Sequence, residues 1–364
     1  MNSQTQAPFY QKLSFNLITL ALLSLAIYYG KEIIVPVLFS ILLANMLLPV
    51  TRFLEKKRFP KPIAILLPLL LSLIIGIAII YFLSSQIMNF VDDLPALQKR
   101  LSEVGNTIQH WFKANTHITI QKQNQYLNEK VSDLKDIAPE VVGSTIISIT
   151  GILSYLVLLP IYTFLILYYR SLIRGFLVST FKNGSSENVN AILVESASMG
   201  QKYLSGLLIE TVLVFALNTI GFFILGIKYV FFLALLAALL NLIPYVGMLI
   251  ANVICMVVTL VSSSNTSDVF WVFIILALVQ FWDNNFGMTL IVGNHVRINS
   301  LVTIIGVFVG GALAGVSGMF LAIPGLAVLK VIFDKVPELQ AWGMLLGEGS
   351  GKKATLPEKF QPDD

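Results

Sequence analysis

Nine stretches of the chain are dominated by apolar residues, and the polar residues between them are few. They fall at about 13–29, 33–54, 63–83, 146–169, 204–225, 229–243, 248–261, 269–282 and 301–333. One helix needs roughly 20 apolar residues to cross about 30 Å of hydrocarbon. The first five therefore read as membrane spans, the next three are shorter, and the last is too long for one simple crossing. That last stretch is also interrupted by Gly315, Gly318 and Pro324. Lys12 followed by 13–29 resembles a signal peptide, but Gly30, Lys31 and Glu32 offer no small-x-small cleavage site, so the stretch reads as a retained span.

Basic residues orient these spans, because loops that stay in the cytoplasm keep Lys and Arg. Lys56, Lys57, Arg58 and Lys61 place the second loop inside, as do Arg170, Arg174, Lys182 and Lys202 for the connection before 204, and Lys330, Lys335, Lys352 and Lys353 for the carboxyl end. The 262–268 loop has no basic residue and is expected outside. With both termini cytoplasmic the number of crossings is even. It is about eight if 301–333 is a hairpin re-entering from the cytoplasmic face, and six if 229–261 is re-entrant as well.

The pattern divides the chain into amino-terminal membrane helices over 1–83, an outer insertion over 84–145, a transport core over 146–335 and a cytoplasmic tail over 336–364. Within the insertion Ile87, Phe90, Leu94, Leu97, Leu101, Val104, Ile108 and Trp111 alternate spacings of three and four, the stripe of an amphipathic helix. Asp92 and Asp93 before Pro95 read as a helix start, and Leu127, Val131 and Leu134 predict a second, shorter helix. Such a hairpin folds on its own protomer or meets another subunit. A capped amphipathic helix over 183–203 is expected to feed the span at 204.

Composition agrees with lipid as the solvent. Of 364 residues 56% are hydrophobic and 12% charged, against roughly 25% charged in a soluble domain. The formal net charge of +4 does not point to nucleic acid, because the basic residues flank apolar segments and topology explains them. Cys255, the single cysteine, lies in an apolar run and can form no internal disulfide. His110, His117 and His295 are scattered without metal spacing or a nucleophile partner. The run from Gly347 to Lys353 is one residue short of a phosphate loop and has Lys353 where Ser or Thr is required. No enzyme, metal, cofactor or nucleic-acid partner is expected; the expected partners are membrane lipid and a small-molecule substrate.

Four features carry candidate chemistry. Asn241, Pro244, Tyr245 and Gly247 sit between two short apolar pieces, where Pro244 removes a backbone donor and Gly247 permits a turn. Backbone groups freed at membrane depth must face protein, water or solute, and broken helices of this kind build transporter sites; a plain surface turn is the other reading. Gln280, Asp283 and Asn284 fall within one helical turn, able to share a face lining a polar cavity, or to cap an interfacial helix anchored by Trp271 and Trp282. Gly306, Gly310, Ala314 and Gly318 recur at intervals of four with Gly311 and Gly315 beside them, a ladder that lets helix backbones touch in lipid. Glu210 is a carboxylate well inside an apolar segment, a candidate for proton or cation coupling, as Asp283 separately is, or a side chain that snorkels or pairs with Lys202.

Taken in order, these features resemble the autoinducer-2 exporter family of bacterial permeases. The resemblance is carried by Pro36 and Pro49 with 52–60, by Leu94-Pro95, and by 160–170, 241–247, 280–293 and 310–324. It implies an all-α polytopic bundle in a bacterial inner membrane, with small-solute export, quorum-signal export in some members and cation/proton antiport in others. It also implies a homo-oligomer, a pentamer, working by elevator-like movement of hairpins, and Pro244, Tyr245, Gly247, Gln280, Asp283 and Asn284 as the substrate site. Many relatives have Glu at the position of Asp283 and Pro at those of Thr289 and Ser300; the shorter acid keeps the charge but changes its reach. The expected function is a secondary-type exporter of a small solute, with an oligomeric passive channel or a membrane scaffold protein as the alternatives.

Overall fold

A computed structural model describes residues 9–92, 156–180, 186–263, 265–285 and 298–347. They fold into α1 (Phe9–Lys56), α2 (Lys61–Asp92), α3 (Leu156–Tyr168), α4 (Arg170–Thr180), α5 (Ser186–Ile224), α6 (Val230–Leu240), α7 (Val246–Ser262), α8 (Ser267–Trp282), α9 (Ser300–Lys335), a 3-10 turn at Pro337–Leu339 and α10 (Gln340–Leu346). Among the described residues the only β contact is an isolated bridge from Ile298 to Gly347. The chain is an all-helical membrane protein, as the apolar pattern requires. Long apolar side chains such as Leu22, Ile74, Phe223 and Leu278 lie on its outside, where only lipid or another subunit suits them.

The arrangement of crossings differs from the expected eight. Stretches 13–29 and 33–54 are one continuous helix of 48 residues, because Gly30, Lys31 and Glu32 supply no turn and a lone glycine does not stop a helix. Pro36 lies inside it, and the Ser40 hydroxyl sits 2.7 Å from the Pro36 carbonyl oxygen and 3.0 Å from that of Leu159, tying α1 to α3. Helix α2 also outruns its predicted end at 83. Ile87 and Phe90 belong to it, and Asp92 ends it rather than starting a new helix. The rest of the expected insertion, from Asp93 onward, lies outside the described residues, as do His110, His117 and His295.

Among the described residues five helices are long and apolar enough to cross a membrane, or six if the bent pair α3–α4 is counted as one span. Length alone counts α9 among them, but its backbone does not run straight. Ala314 (φ −137°, ψ 21°) and Gly315 (φ 62°, ψ −147°) leave helical geometry, and the two arms fold back on each other. Gly310 lies so close to Gly318 that a side chain on either would strike the other's carbonyl oxygen. The stretch is therefore a hairpin whose first arm, residues 300–313, is about 21 Å long, too short to span.

A second hairpin is built from α6 and α7. Helix α6 has 11 residues, about 16 Å, so it cannot cross. The chain reverses over 241–245, and Gly247 packs on the Leu240 carbonyl, leaving no room for a Cβ. Further down, the Cys255 thiol reaches the Leu233 carbonyl at 3.8 Å. Both 229–261 and 301–333 are thus hairpins rather than pairs of full crossings.

Helix α5 is the centre of the fold and touches α1, α4, α6, α8 and α9. Its end packs into a core of Phe222, Leu233, Ala237, Cys255, Val258 and Val272, drawn from α5 to α8. Tyr203 and Leu204 instead pack against α1 and the second arm of the α9 hairpin at Phe320 and Ile323. A third cluster joins Ala44 and Leu47 to Ile65, Leu69 and Leu167.

The glycine contact makes a prediction. Gly310→Ala drives a methyl group into the Gly318 backbone and costs about 1–3 kcal/mol, read as a lower melting temperature of the purified protein. Gly76→Ala, where nothing lies within 4 Å, leaves it unchanged or slightly higher.

Candidate functional site

The buried polar side chains of α5 lie on one face. Tyr203, Glu210 and Asn218 are spaced by seven and eight residues, and all three are buried, with the apolar Val214 between the last two on the same face. On an otherwise apolar helix this stripe can only be accommodated if other polar groups meet it. At Glu210 one does: its carboxyl lies within hydrogen-bonding reach of that of Asp283.

Asp283 follows the last residue of α8, where the chain widens into a π-helical turn over residues 283–285. Asp283 falls on the buried face of α8, seven and eleven residues after Leu276 and Val272, and it is 4% exposed. From the α6–α7 hairpin tip the Asn241 amide donates to Asp283 Oδ2 at 3.2 Å. The buried Asp283 Oδ1 receives no bond from a fixed donor among the described residues. Glu210 can serve as that donor only when it carries a proton.

Three separate elements deliver these groups to one depth. Counted along the helices, Glu210 is 14 residues from Ile224, Asp283 is 16 from Ser267, and Asn241 is 11 from Val230. At 1.5 Å per residue these are about 21, 24 and 17 Å from the same face, well inside a hydrocarbon layer of about 30 Å. The α9 hairpin packs on α5 at Tyr203, two helical turns from Glu210.

The structure gathers some of the sequence-predicted residues and separates others. Asn241, Asp283 and Glu210 come together, whereas Lys202, the expected partner of Glu210, is exposed. Gln280 and Asn284 do not join them. They pair with each other through a 3.0 Å bond on the outside of α8, since residues four apart share the face that Asp283 leaves. Pro244, Tyr245 and Gly247 form the hairpin turn. The Pro244 carbonyl accepts from Val246 N–H at 2.7 Å, and Tyr245 is half exposed with φ 63°. Gly306 faces Leu326, Gly311 faces Met319, and Pro324 is buried in the second arm of α9.

Asn218 is a residue the apolar pattern did not single out. It is 1% exposed and its Oδ1 lacks a partner among the described residues. The available signal was a lone amide eight residues after Glu210, on the same helical face.

The sequence matches the family described as AI-2E family transporter over residues 17–338. It is similar to "Putative transport protein YueF" of Bacillus subtilis (strain 168), 24% identical over 330 residues that cover 86% of each chain. "Putative transport protein YhhT" of Escherichia coli (strain K12) is 23% identical over 345 residues, 92% of this chain and 94% of that one. "Putative permease PerM" of the same strain is 22% identical over 330 residues, 86% and 90% of the two chains.

Two carboxyl groups in contact away from water repel when both are charged. Replacing them with amides of the same shape, Glu210→Gln with Asp283→Asn, should therefore preserve the fold with a melting temperature equal to or above that of the parent. A marked loss of thermal stability in the double variant would mean that the pair holds the helices together.

Proposed function

This chain belongs to the AI-2E transporter family and is a membrane transport protein, and from that premise we propose that it is a secondary transporter whose coupling site is the Glu210–Asp283 pair. The observation that supports the reading is two buried carboxyl groups in contact, with Asn241 bonded to one of them. A proton or a small cation between them removes the repulsion. The pair then binds that ion more tightly in whichever arrangement of the α6–α7 hairpin brings Asn241 and both acids together. Differential affinity of this kind is what lets an ion gradient drive a conformational equilibrium.

In this reading the two hairpins are the moving parts, and α5 with α1 is the scaffold. The α6–α7 hairpin enters from the face carrying the 262–268 loop, and α9 enters from the opposite face, which the Lys and Arg pattern marks as cytoplasmic. The protein sits in a bacterial inner membrane with its carboxyl end inside. Counting α1 as a single crossing puts the amino terminus outside, a revision of the reading that placed both termini inside. Solute is held by the polar groups that line the hairpin tip, Asn241, Pro244, Tyr245 and Gly247, with Gln280 and Asn284 at the outer side of α8. The exposed apolar flank of the helices is the surface on which copies assemble into a homo-oligomer.

The test is proton and sodium flux in proteoliposomes under imposed pH and sodium gradients. Gradient-driven flux in the parent should fall at least about tenfold in Glu210→Gln and in Asp283→Asn, while Gly76→Ala transports normally. Flux indifferent to the gradients and to both substitutions would establish a passive channel instead.

A further inference from the structure

A cavity remote from the carboxyl pair lies near the charged end of the helices. It has a volume of about 840 Å³ and lies between α1, the α3–α4 bend and the start of α5. A smaller cavity of about 340 Å³ adjoins it, sharing Leu48, Arg52 and Gln201 and adding Lys56. Arg52, Lys56, Arg170 and Arg174 thus converge here, and among the described residues no carboxylate lines either space. Opposite them the walls are apolar, formed by Leu48, Ile166, Ile173, Leu177, Leu193 and Val194.

Its cations are only partly used by the protein. Arg170 Nη2 pairs with Glu55 at 2.6 Å, but its Nη1 is buried with no hydrogen-bond partner among the described residues. Arg174 donates two bonds to the neutral Asn190 oxygen, at 3.0 and 2.7 Å, which leaves its charge uncompensated. A guanidinium nitrogen out of water without an acceptor is costly, and guanidinium groups fit phosphate oxygens in bidentate geometry.

The surroundings fix the depth of this site. Helix α4 leaves α3 at 67° and has no buried residue. Leu172 and Phe176 are both about two-thirds exposed. An amphipathic helix bent off a span in this way lies along the membrane surface with its apolar side chains in the acyl boundary. A cavity beside it opens at the level of the lipid headgroups, and basic pockets between helices at that level suit anionic heads.

We propose that this cavity is a binding site for one anionic phospholipid, its phosphate held by Arg52, Arg170 and Arg174 and the upper part of an acyl chain lying on Leu48, Leu193 and Val194. A free phosphate would use the cations and leave the apolar wall uncovered, whereas a diacyl phosphodiester uses both. The cavity takes a headgroup and the first part of a chain, since its volume is that of a small-molecule pocket, about 300–1,000 Å³. The site joins α1, α4 and α5, so its occupant would fasten the surface helix to the scaffold.

The experiment uses the full chain, delipidated in detergent and titrated with palmitoyl-oleoyl-phosphatidylglycerol, with the phosphatidylcholine of the same chains, and with inorganic phosphate. Binding is read by native mass spectrometry and by melting temperature. Phosphatidylglycerol should bind and raise the melting temperature, and Arg52→Gln with Arg174→Gln should weaken it at least about tenfold, given about 1 kcal/mol per interfacial cation. Lys57→Gln with Arg58→Gln, on the same face but outside the cavity, should change it less than about twofold.

Equal binding of phosphatidylcholine, or a double variant that binds as the parent does, would overturn the proposal. Stabilisation by inorganic phosphate alone to the same extent would overturn the lipid in favour of a free anion. A photoreactive phosphatidylglycerol on the unaltered chain provides an independent reading: cross-links on residues 48–56, 170–178 or 190–201 support the site, and cross-links confined to other segments overturn it.

Discussion

In hydrocarbon a backbone N–H or C=O without a partner costs several kcal/mol, because no water is there to replace it. The fold can be read as the set of places where this chain breaks a helix and still meets that condition. At the α6–α7 tip the Asn241, Ile243 and Gly247 N–H groups return to the carbonyls of Ala237, Leu240 and Ile243. At the α3–α4 bend the Lys61 ammonium donates to the Tyr168 carbonyl at 2.6 Å and sits over the Tyr168 ring. In α9 the break at Ala314 and Gly315 costs little, since a glycine tolerates φ 62° and the arms close on each other.

Closing those hairpins requires backbones to approach, and lipid offers no hydrophobic drive for helices to do so. Van der Waals contact has to suffice, and small residues make the most of it. Gly310 against Gly318, and Gly247 against Leu240, are the two closest approaches of this kind. Around them the long helix α5 carries contacts to every element that matters for the site, so the depth of Glu210 is set by the helix with the most neighbours. The α6–α7 and α9 hairpins both pack against this central helix.

The polar groups of this frame that matter here divide into two kinds. Glu210, Asp283, Asn241 and Asn218 lie in the interior, where each polar group left unmatched by a donor or acceptor is costly; such groups in a membrane protein are functional by default. Arg52, Arg170 and Arg174 lie at the boundary, where a charged head can reach water or a lipid phosphate while its stem stays apolar. In the proposed scheme the first kind reads an ion gradient and the second fastens the protein to its bilayer. The two are linked through α5, which carries Glu210 in its middle and lines the cavity at its start.

The sequence by itself determined the solvent, the helical class and the two interrupted stretches, 229–261 and 301–333. Hydropathy does this because a span has a fixed length, and Pro244, Gly247, Gly315 and Gly318 mark hairpins because proline and glycine act locally. Charge placement also marked Glu210 and Asp283 as acids in an unfavourable medium. Tertiary structure decided the rest. That 13–54 runs as one helix through Gly30 is seen in the backbone and not in the apolar pattern, which falls into two stretches there. That the face of α8 carrying Val272, Leu276 and Asp283 turns to the protein and not to lipid depended on the packing of α8 against α5 and α7. That Glu210 meets Asp283 rather than Lys202 required α5, α8 and the α6–α7 tip to converge at one depth. Such a convergence joins residues up to 73 positions apart in the chain, and no local pattern of apolar and polar positions encodes it.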